Sequence, residues 1–231
     1  MAITVGIFNQ SGGGKSTSIV VNPDGTYNPS DYQGMNPDTT VIFNSDKKRL
    51  PFKGTNWIEG TNVFTISNNE EIKKILAKIN SGTRVKSVII DTINGIMVDK
   101  EMIESKKLTF DKWMDLAKDI YELISIANGM RDDLIIYFTG HVTLFTDVDG
   151  NESKCLVTNG KKLEKIRLES KLPIVLFGAV DRGSNDNNKY YFETQANRST
   201  AKTPLGMFSE FKIPNSLSLV DKTIREYYGI K

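Results

Sequence analysis

The stretch Asn9-Gln10-Ser11-Gly12-Gly13-Gly14-Lys15-Ser16-Thr17 decides how this chain is read. It follows an apolar run from Ile3 to Phe8, the composition of a buried strand leading into a loop. Consecutive glycines at 12, 13 and 14 let the backbone take positive φ and come close to a ligand, so that successive N–H groups can turn inward around an anion. A lysine and a hydroxyl directly after such a loop suit phosphate oxygens and a hard divalent cation. The segment from Ser16 to Val21 has room for only a short helix before Asn22-Pro23-Asp24-Gly25 ends it, and that helix is expected to aim its positive end at the same anion.

The pattern is close to G-x-x-x-x-G-K-[ST], the phosphate-binding P-loop, with one departure. The first glycine of the pattern falls on Asn9, and Gly6 comes too early to replace it. Asn tolerates left-handed backbone better than most residues, so the loop is expected to close. A glycine-rich turn that merely precedes a Lys-Ser pair is the plainer alternative, and the order strand, loop, GGGKST argues against it. Asn9, Gln10, Ser11, Gly12, Gly13, Gly14, Lys15, Ser16 and Thr17 are therefore the candidate nucleotide-binding residues. Lys15 would reach the β- and γ-phosphates of ATP, and Ser16 would sit on Mg²⁺.

A second element of such a site is legible in Val85-Lys86-Ser87-Val88-Ile89-Ile90-Asp91-Thr92, an apolar strand ending in a carboxylate. This is the Walker B pattern, in which the acid positions the metal, usually through a water. A solvent-facing Asp at a strand end is the alternative; behind a P-loop, Asp91 is the metal-site candidate beside Ser16. A further apolar strand, Leu134 to Thr139, runs into Gly140-His141. His141, the only histidine, thus falls at a strand's carboxyl end, where open α/β sheets bind ligands.

Composition narrows the class. The chain has 231 residues, 39% apolar and 25% charged, enough for one sizeable core and ordinary for a soluble globular protein. A formal charge of +2 is too small to argue for a polyanionic partner, so any nucleic-acid surface must come from local clustering. Cys155 is the single cysteine, which excludes an intramolecular disulfide and fits a reducing compartment. No apolar run approaches a membrane span, and the start lacks the layout of a signal peptide. The expectation is a cytoplasmic protein with no membrane partner, folded as one domain over residues 1–231.

The remaining elements follow from periodicity. Thr40 to Asn44 reads as a strand, followed by the basic segment Lys47-Lys48-Arg49-Leu50-Pro51-Phe52-Lys53-Gly54, and Val63 to Ile66 as a short extended piece. Ser67 to Asn69 offer helix-capping side chains ahead of a helix whose apolar face is Ile72, Ile75, Leu76 and Ile79, closed by Asn80-Ser81-Gly82. Helices are expected over Asn94 to Ser105 and Phe110 to Asn128, the second with Trp113, Leu116, Ile120, Leu123, Ile124 and Ala127 on one side. Val142 to Val157 reads as a hairpin or mobile loop turning at Asp149-Gly150, and Lys161 to Arg167 as the start of a basic amphipathic helix. Pro173 to Gly178 is a further strand, Lys189 to Thr194 an antiparallel one, Arg198 to Pro204 a basic loop and Ser216 to Tyr228 a closing helix.

Taken together, NQSGGGKST, VIFNSDKKRLPFKG, VIIDT, IIYFTGH and RSTAKTPLGMF resemble the RecA-like ATPases encoded by bacteriophages, the group of small recombinases and single-strand annealing proteins. The resemblance implies a RecA-like P-loop NTPase fold: α/β, with a mostly parallel central sheet flanked by helices and antiparallel strands toward the C-terminus. It implies an ATP- and Mg²⁺-dependent ATPase, stimulated by DNA, with single-stranded DNA as partner, self-assembly into a ring or filament, and a single-strand DNA-binding protein as a further partner. It places the protein in the cytoplasm of a host cell.

Residue by residue, Lys15, Asp46, His141, Arg198 and Lys202 become the catalytic candidates. His141 stands where the family places a polar γ-phosphate sensor, and Asp46 is nearest the position of the family's catalytic Glu. Arg198 and Lys202 stand where cationic fingers reach a neighbouring subunit's nucleotide. Residues 142–160 and 96–110 would be the mobile DNA-binding loops. Phosphate contacts would come from Lys47, Lys48, Arg49, Lys53, Lys161, Lys162 and Lys165, with Phe145 as a stacking platform. Two other readings share the P-loop. A nucleotide-dependent switch or loader of the partitioning type would carry a second lysine where Gln10 stands. A small-molecule kinase would show an arginine-bearing lid, and no such segment is visible.

Overall fold

The computed structural model of the chain describes residues 1–53, 56–103, 111–147, 149–158, 167–182 and 188–230, with the side chains of 111–117 left aside. Five apolar runs become parallel strands: β1 (Ile3–Phe8), β2 (Thr40–Asn44), β4 (Ser87–Asp91), β5 (Ile135–Gly140) and β8 (Ile174–Asp181). The first four of these are buried along their whole length, as expected of strands covered on both faces. With β3 (Val63–Phe64), β9 (Lys189–Glu193) and β10 (Lys212–Pro214) they form one sheet in the order β10-β9-β8-β1-β5-β4-β2-β3. β9 runs antiparallel to β8, and β10 antiparallel to β9. The sheet is therefore mostly parallel with antiparallel strands toward the C-terminus. The acid-bearing β4 stands one strand away from the loop-bearing β1.

Alternation along the strands divides the core between the two faces. Val41, Phe43, Val88, Ile90, Ile136, Phe138, Val175 and Phe177 turn to one face. There they meet helices α1 (Asn69–Ser81), α2 (Ile93–Ile103) and α3 (Asp111–Asn128), which contribute residues such as Ile72, Leu76, Met97, Leu123 and Ile124. Ile3, Val5, Ile7, Ile42, Ile89, Leu176 and Phe192 turn to the other face, against Leu217, Val220 and Ile224 of helix α4 (Leu217–Tyr228). Helix starts follow local chemistry: Asn68 Oδ1 accepts from the N–H groups of Glu70 and Glu71 at 3.0 and 3.2 Å, and Ser216 Oγ from Leu219 N–H at 3.3 Å. α4 ends where Gly229 takes φ 65°. Among the described residues no helix is long and apolar enough to cross a membrane.

One expectation is corrected, one strand was missed, and one open alternative is decided. The segment after the P-loop is a single 3-10 turn, Thr17–Ile19, with no α-helix. Val20 and Val21 are β-branched, and Asn22 N–H turns back to Thr26 O at 2.8 Å, which leaves no room for a second turn. β10 was not expected; a three-residue strand containing Pro214 carries too little pattern to stand out. The expected Val142 to Val157 element is an ordered hairpin, β6 (Val142–Thr146) with β7 (Glu152–Leu156), standing outside the main sheet. The basic segment at 161–166 lies outside the described residues.

Candidate functional site

In the order β1-β5-β4-β2 the carboxyl ends of neighbouring strands lie side by side, and each delivers one candidate residue. The P-loop follows β1, His141 follows β5, Asp91 ends β4, and Asp46 lies just beyond β2. The chain leaves β1 toward β2 on one side and later returns to β8 on the other, so the P-loop opens at the point where the strand order reverses. A cleft of about 510 Å³ sits there, lined by Ser11 to Thr17, Asp46, Lys48, Arg49, Thr92, His141 and Tyr190 among others. A cleft of about 610 Å³ at the opposite end of the strands is lined by Asp221 and Arg225. Those two side chains are already bonded to one another and to Ser87, which suits a structural role.

Within the loop, Gly12 and Gly14 take φ of 76° and 86°, the left-handed backbone that the glycine run allows. Asn9 does not join them. The departure from the pattern is accommodated by its side chain: Nδ2 donates to Gly13 O at 2.6 Å, and Oδ1 accepts from Gln10 N–H at 2.8 Å. The amide occupies space that two glycines leave free, since a Cβ on Gly13 would stand 2.2 Å from Asn9 Nδ2 and one on Gly178 1.9 Å. Asn9 therefore clasps the loop shut from within.

Lys15 is buried at 6% exposure, and its Nζ donates to Asn9 O and Gln10 O, both at 2.9 Å. Burial pulls its pKa down to about 8 from the usual 10.5, with Asp91 opposing the shift. His141 Nδ1 lies 3.4 Å from Lys15 Nζ. Burial, then the Lys15 charge, holds the imidazole below its ordinary pKa, so it is neutral at pH 7. With Lys15 as the donor of that pair, Nδ1 accepts, and Nε2 carries the proton toward the cleft. The backbone of His141 is fixed as well, its N–H donating to Asn94 Oδ1 at 2.7 Å.

Ser16 Oγ donates to Asp91 Oδ2 at 2.6 Å, and Thr139 Oγ1 donates to Oδ1 at 2.6 Å. Asp46 is oriented in the same manner: Thr92 Oγ1 donates to Oδ1 at 2.9 Å, and Lys48 Nζ pairs with Oδ2 at 2.6 Å. Neither Thr92, Thr139, Lys48 as an Asp46 partner, nor Tyr190 was singled out for the site from sequence. The signal available for the first two was a hydroxyl directly after the Walker B acid and another just before Gly140-His141.

The donor set fits Mg²⁺ with a triphosphate. Ser16 and Asp91 offer adjacent hard oxygens, the glycine loop offers N–H groups, and Lys15 offers a cation. With the downstream segment reduced to one 3-10 turn, an anion in this loop would be held by loop N–H groups and Lys15 instead of a helix dipole.

Arg198 and Lys202 are not brought into this cleft. Lys202 pairs through its backbone with Val175, near the amino end of β8, and Lys154 N–H on the hairpin donates to Arg198 O at 2.7 Å. Lys47 pairs with Asp99 at 2.6 Å, and the Arg167 guanidinium sits 4.0 Å from the centre of the Phe145 ring. Lys161, Lys162 and Lys165 lie outside the described residues.

No protein-family model matches the chain, and no curated protein matches it. Among solved structures it is similar to a KaiC-like protein of the hyperthermophilic archaeon Pyrococcus horikoshii, with 13% identity over 83% of this chain and 77% of that one and a TM-score of 0.44. A likeness that weak says nothing of what this chain binds; the strand order and the cleft at the P-loop are the chain's own geometry.

Proposed function

We propose that the chain is an Mg²⁺-dependent ATPase that works on single-stranded DNA, in recombination or annealing of the bacteriophage type, and acts as an oligomer. The observation that carries the ATPase reading is the convergence of Lys15, Ser16, Asp91, His141 and Asp46 at one end of four adjacent strands. Bound Mg²⁺ would supply a positive charge shared between the phosphate oxygens. Lys15 trades the carbonyls of Asn9 and Gln10 for phosphate oxygens. Asp46 accepts a proton from the attacking water as the oxygen–phosphorus bond forms and the β–γ bridge breaks. His141 donates from Nε2 to an oxygen of the transferred group, where charge accumulates.

Support for the DNA part is the hairpin β6–β7, which begins one residue after His141. It holds Leu144 at 62% exposure and Phe145 partly exposed beside the Arg167 guanidinium. An aromatic ring next to a guanidinium suits a base stacked above a phosphate. A strand held there would pull directly on the His141 backbone. Arg198 and Lys202, outside their own cleft, serve the neighbouring subunit's nucleotide.

The test of this reading is fluorescence anisotropy with a labelled single strand, at low and moderate salt, with and without ATP and Mg²⁺. Binding that steepens with ATP and falls with salt is expected. Absence of strand binding at low salt under both conditions would leave a nucleotide-dependent switch as the better reading.

A further inference from the structure

We propose that Tyr190 and Asn215 form the nucleobase end of the cleft, with the Asn215 amide selecting adenine over guanine. This rests on the nucleotide-site reading above. The antiparallel ladder that pairs Pro214 with Tyr191 brings Asn215 beside Tyr190, and Asn215 N–H donates to Tyr190 O at 3.3 Å. Both residues then lie at the P-loop's flank. Around the point where a Gly14 Cβ would stand, the nearest atoms are Asn215 Nδ2 at 2.8 Å, Tyr190 Cδ1 at 3.1 Å and Asn215 Cγ at 3.3 Å.

Two features mark the pair out. Asn215 is 3% exposed, and among the described residues neither Oδ1 nor Nδ2 of its side chain has a hydrogen-bond partner. A buried amide with both ends unpaired is costly, and native proteins seldom keep one without a use. Tyr190, in contrast, is 39% exposed and lines the same cleft as Lys15 and Ser16.

The chemistry of the ligand follows from what remains of the cleft. Phosphates occupy the crook from Gly12 to Ser16. The lining also includes Val21, Pro51 and Tyr190, side chains suited to a flat group with apolar faces. A base stacks on the Tyr190 ring. The ring and the amide both lie against Gly14, and the ring is partly exposed; a turn of the ring would bring the amide to the edge of the base. Asn then offers a donor and an acceptor side by side, the complement of adenine N7 and N6–H. Guanine presents two acceptors there, N7 and O6, and sets Oδ1 against O6.

Calorimetric titration of ATP, GTP and inorganic tripolyphosphate, each with Mg²⁺, tests this on wild type, Asn215→Leu, Tyr190→Ala and Tyr190→Phe. Wild type is expected to prefer ATP to GTP by roughly tenfold or more. Asn215→Leu should erase that preference and leave tripolyphosphate affinity unchanged. Tyr190→Ala should weaken both nucleotides about tenfold, again sparing tripolyphosphate, while Tyr190→Phe behaves as wild type. Equal losses for tripolyphosphate would mean that the pair only props Gly14, and an intact ATP preference in Asn215→Leu would remove the amide from base recognition. Should Asn215→Leu fail to fold, Tyr190→Ala decides, since its side chain is partly exposed. A wild type that binds tripolyphosphate with no base preference overturns the subsite alone; one that binds none of the three overturns the nucleotide site as well.

Discussion

Replacing Gly178 by Ala is a one-methyl change on a sheet strand, yet it should disable the P-loop. The added Cβ would stand 1.9 Å from Asn9 Nδ2, 2.5 Å from Cγ and 2.8 Å from Cβ, far inside van der Waals contact. Asn9 has little room to move toward the loop, where Nδ2 already lies 2.6 Å from Gly13 O. The side chain must leave, giving up its bonds to Gly13 O and Gln10 N–H. Overpacking costs about 1–3 kcal/mol and each of the two lost hydrogen bonds about 0.5–1.5 kcal/mol, so roughly 2–6 kcal/mol of stability is at stake. Asn9→Gly alone should cost about 1–3 kcal/mol, from a buried carbonyl left unpaired and a more flexible backbone. In that background Gly178→Ala no longer meets the Asn9 side chain, so its cost should fall below about 1 kcal/mol and the pair should show a coupling of about 1–6 kcal/mol. Urea denaturation of the four proteins measures the stabilities, and titration with a fluorescent ATP analogue measures the loop. Additive losses, or a Gly178→Ala protein with wild-type nucleotide affinity, would refute the clasp.

Other outcomes follow from the same geometry. Lys15 is charged only below its pKa of about 8, and an anion restores the charge, so ATP affinity should fall about tenfold from pH 7 to pH 9 with proton uptake on binding. Calorimetry in buffers of different ionisation enthalpy reads both, and a flat profile without proton uptake would contradict the assignment. The sign for stability is opposite: the unfolded state holds the Lys15 proton up to the ordinary 10.5, so this residue's contribution to stability increases between pH 8 and that value. Asp46→Asn should lower turnover by about 10²–10⁴-fold with ATP affinity retained, measured by steady-state hydrolysis beside equilibrium binding; unchanged turnover would move the base elsewhere. Phe145→Ala should weaken single-strand binding by about 1–3 kcal/mol without altering ATP affinity, and intact anisotropy titrations would remove the hairpin from the strand site. Arg198→Ala and Lys202→Ala subunits should each regain hydrolysis when mixed with Lys15→Ala subunits; no recovery in mixtures would argue against a role across a subunit boundary.

The sequence was most informative where one local pattern carried the signal. Buried runs such as Thr40–Asn44 and Ile135–Gly140 announce parallel strands because both faces must be apolar, and GGGKST announces a loop because few other residues could trace it. What stayed hidden depends on contacts between distant positions. Asn9 looked like a substitute for glycine's backbone freedom, whereas its side chain fills space left by Gly178, far along the chain. Nothing near Asp46 in sequence shows that Thr92 and Lys48 will orient it. The Asn215 amide is unremarkable in a string of letters; only its burial without partners draws attention to it.

ATP hydrolysis by wild type and Lys15→Ala protein, with and without single-stranded DNA at low salt, tests the central claim most directly. Turnover that rises with the DNA and vanishes in the Lys15→Ala protein is the predicted result. Wild-type turnover indifferent to DNA, or activity that survives loss of Lys15, would contradict it.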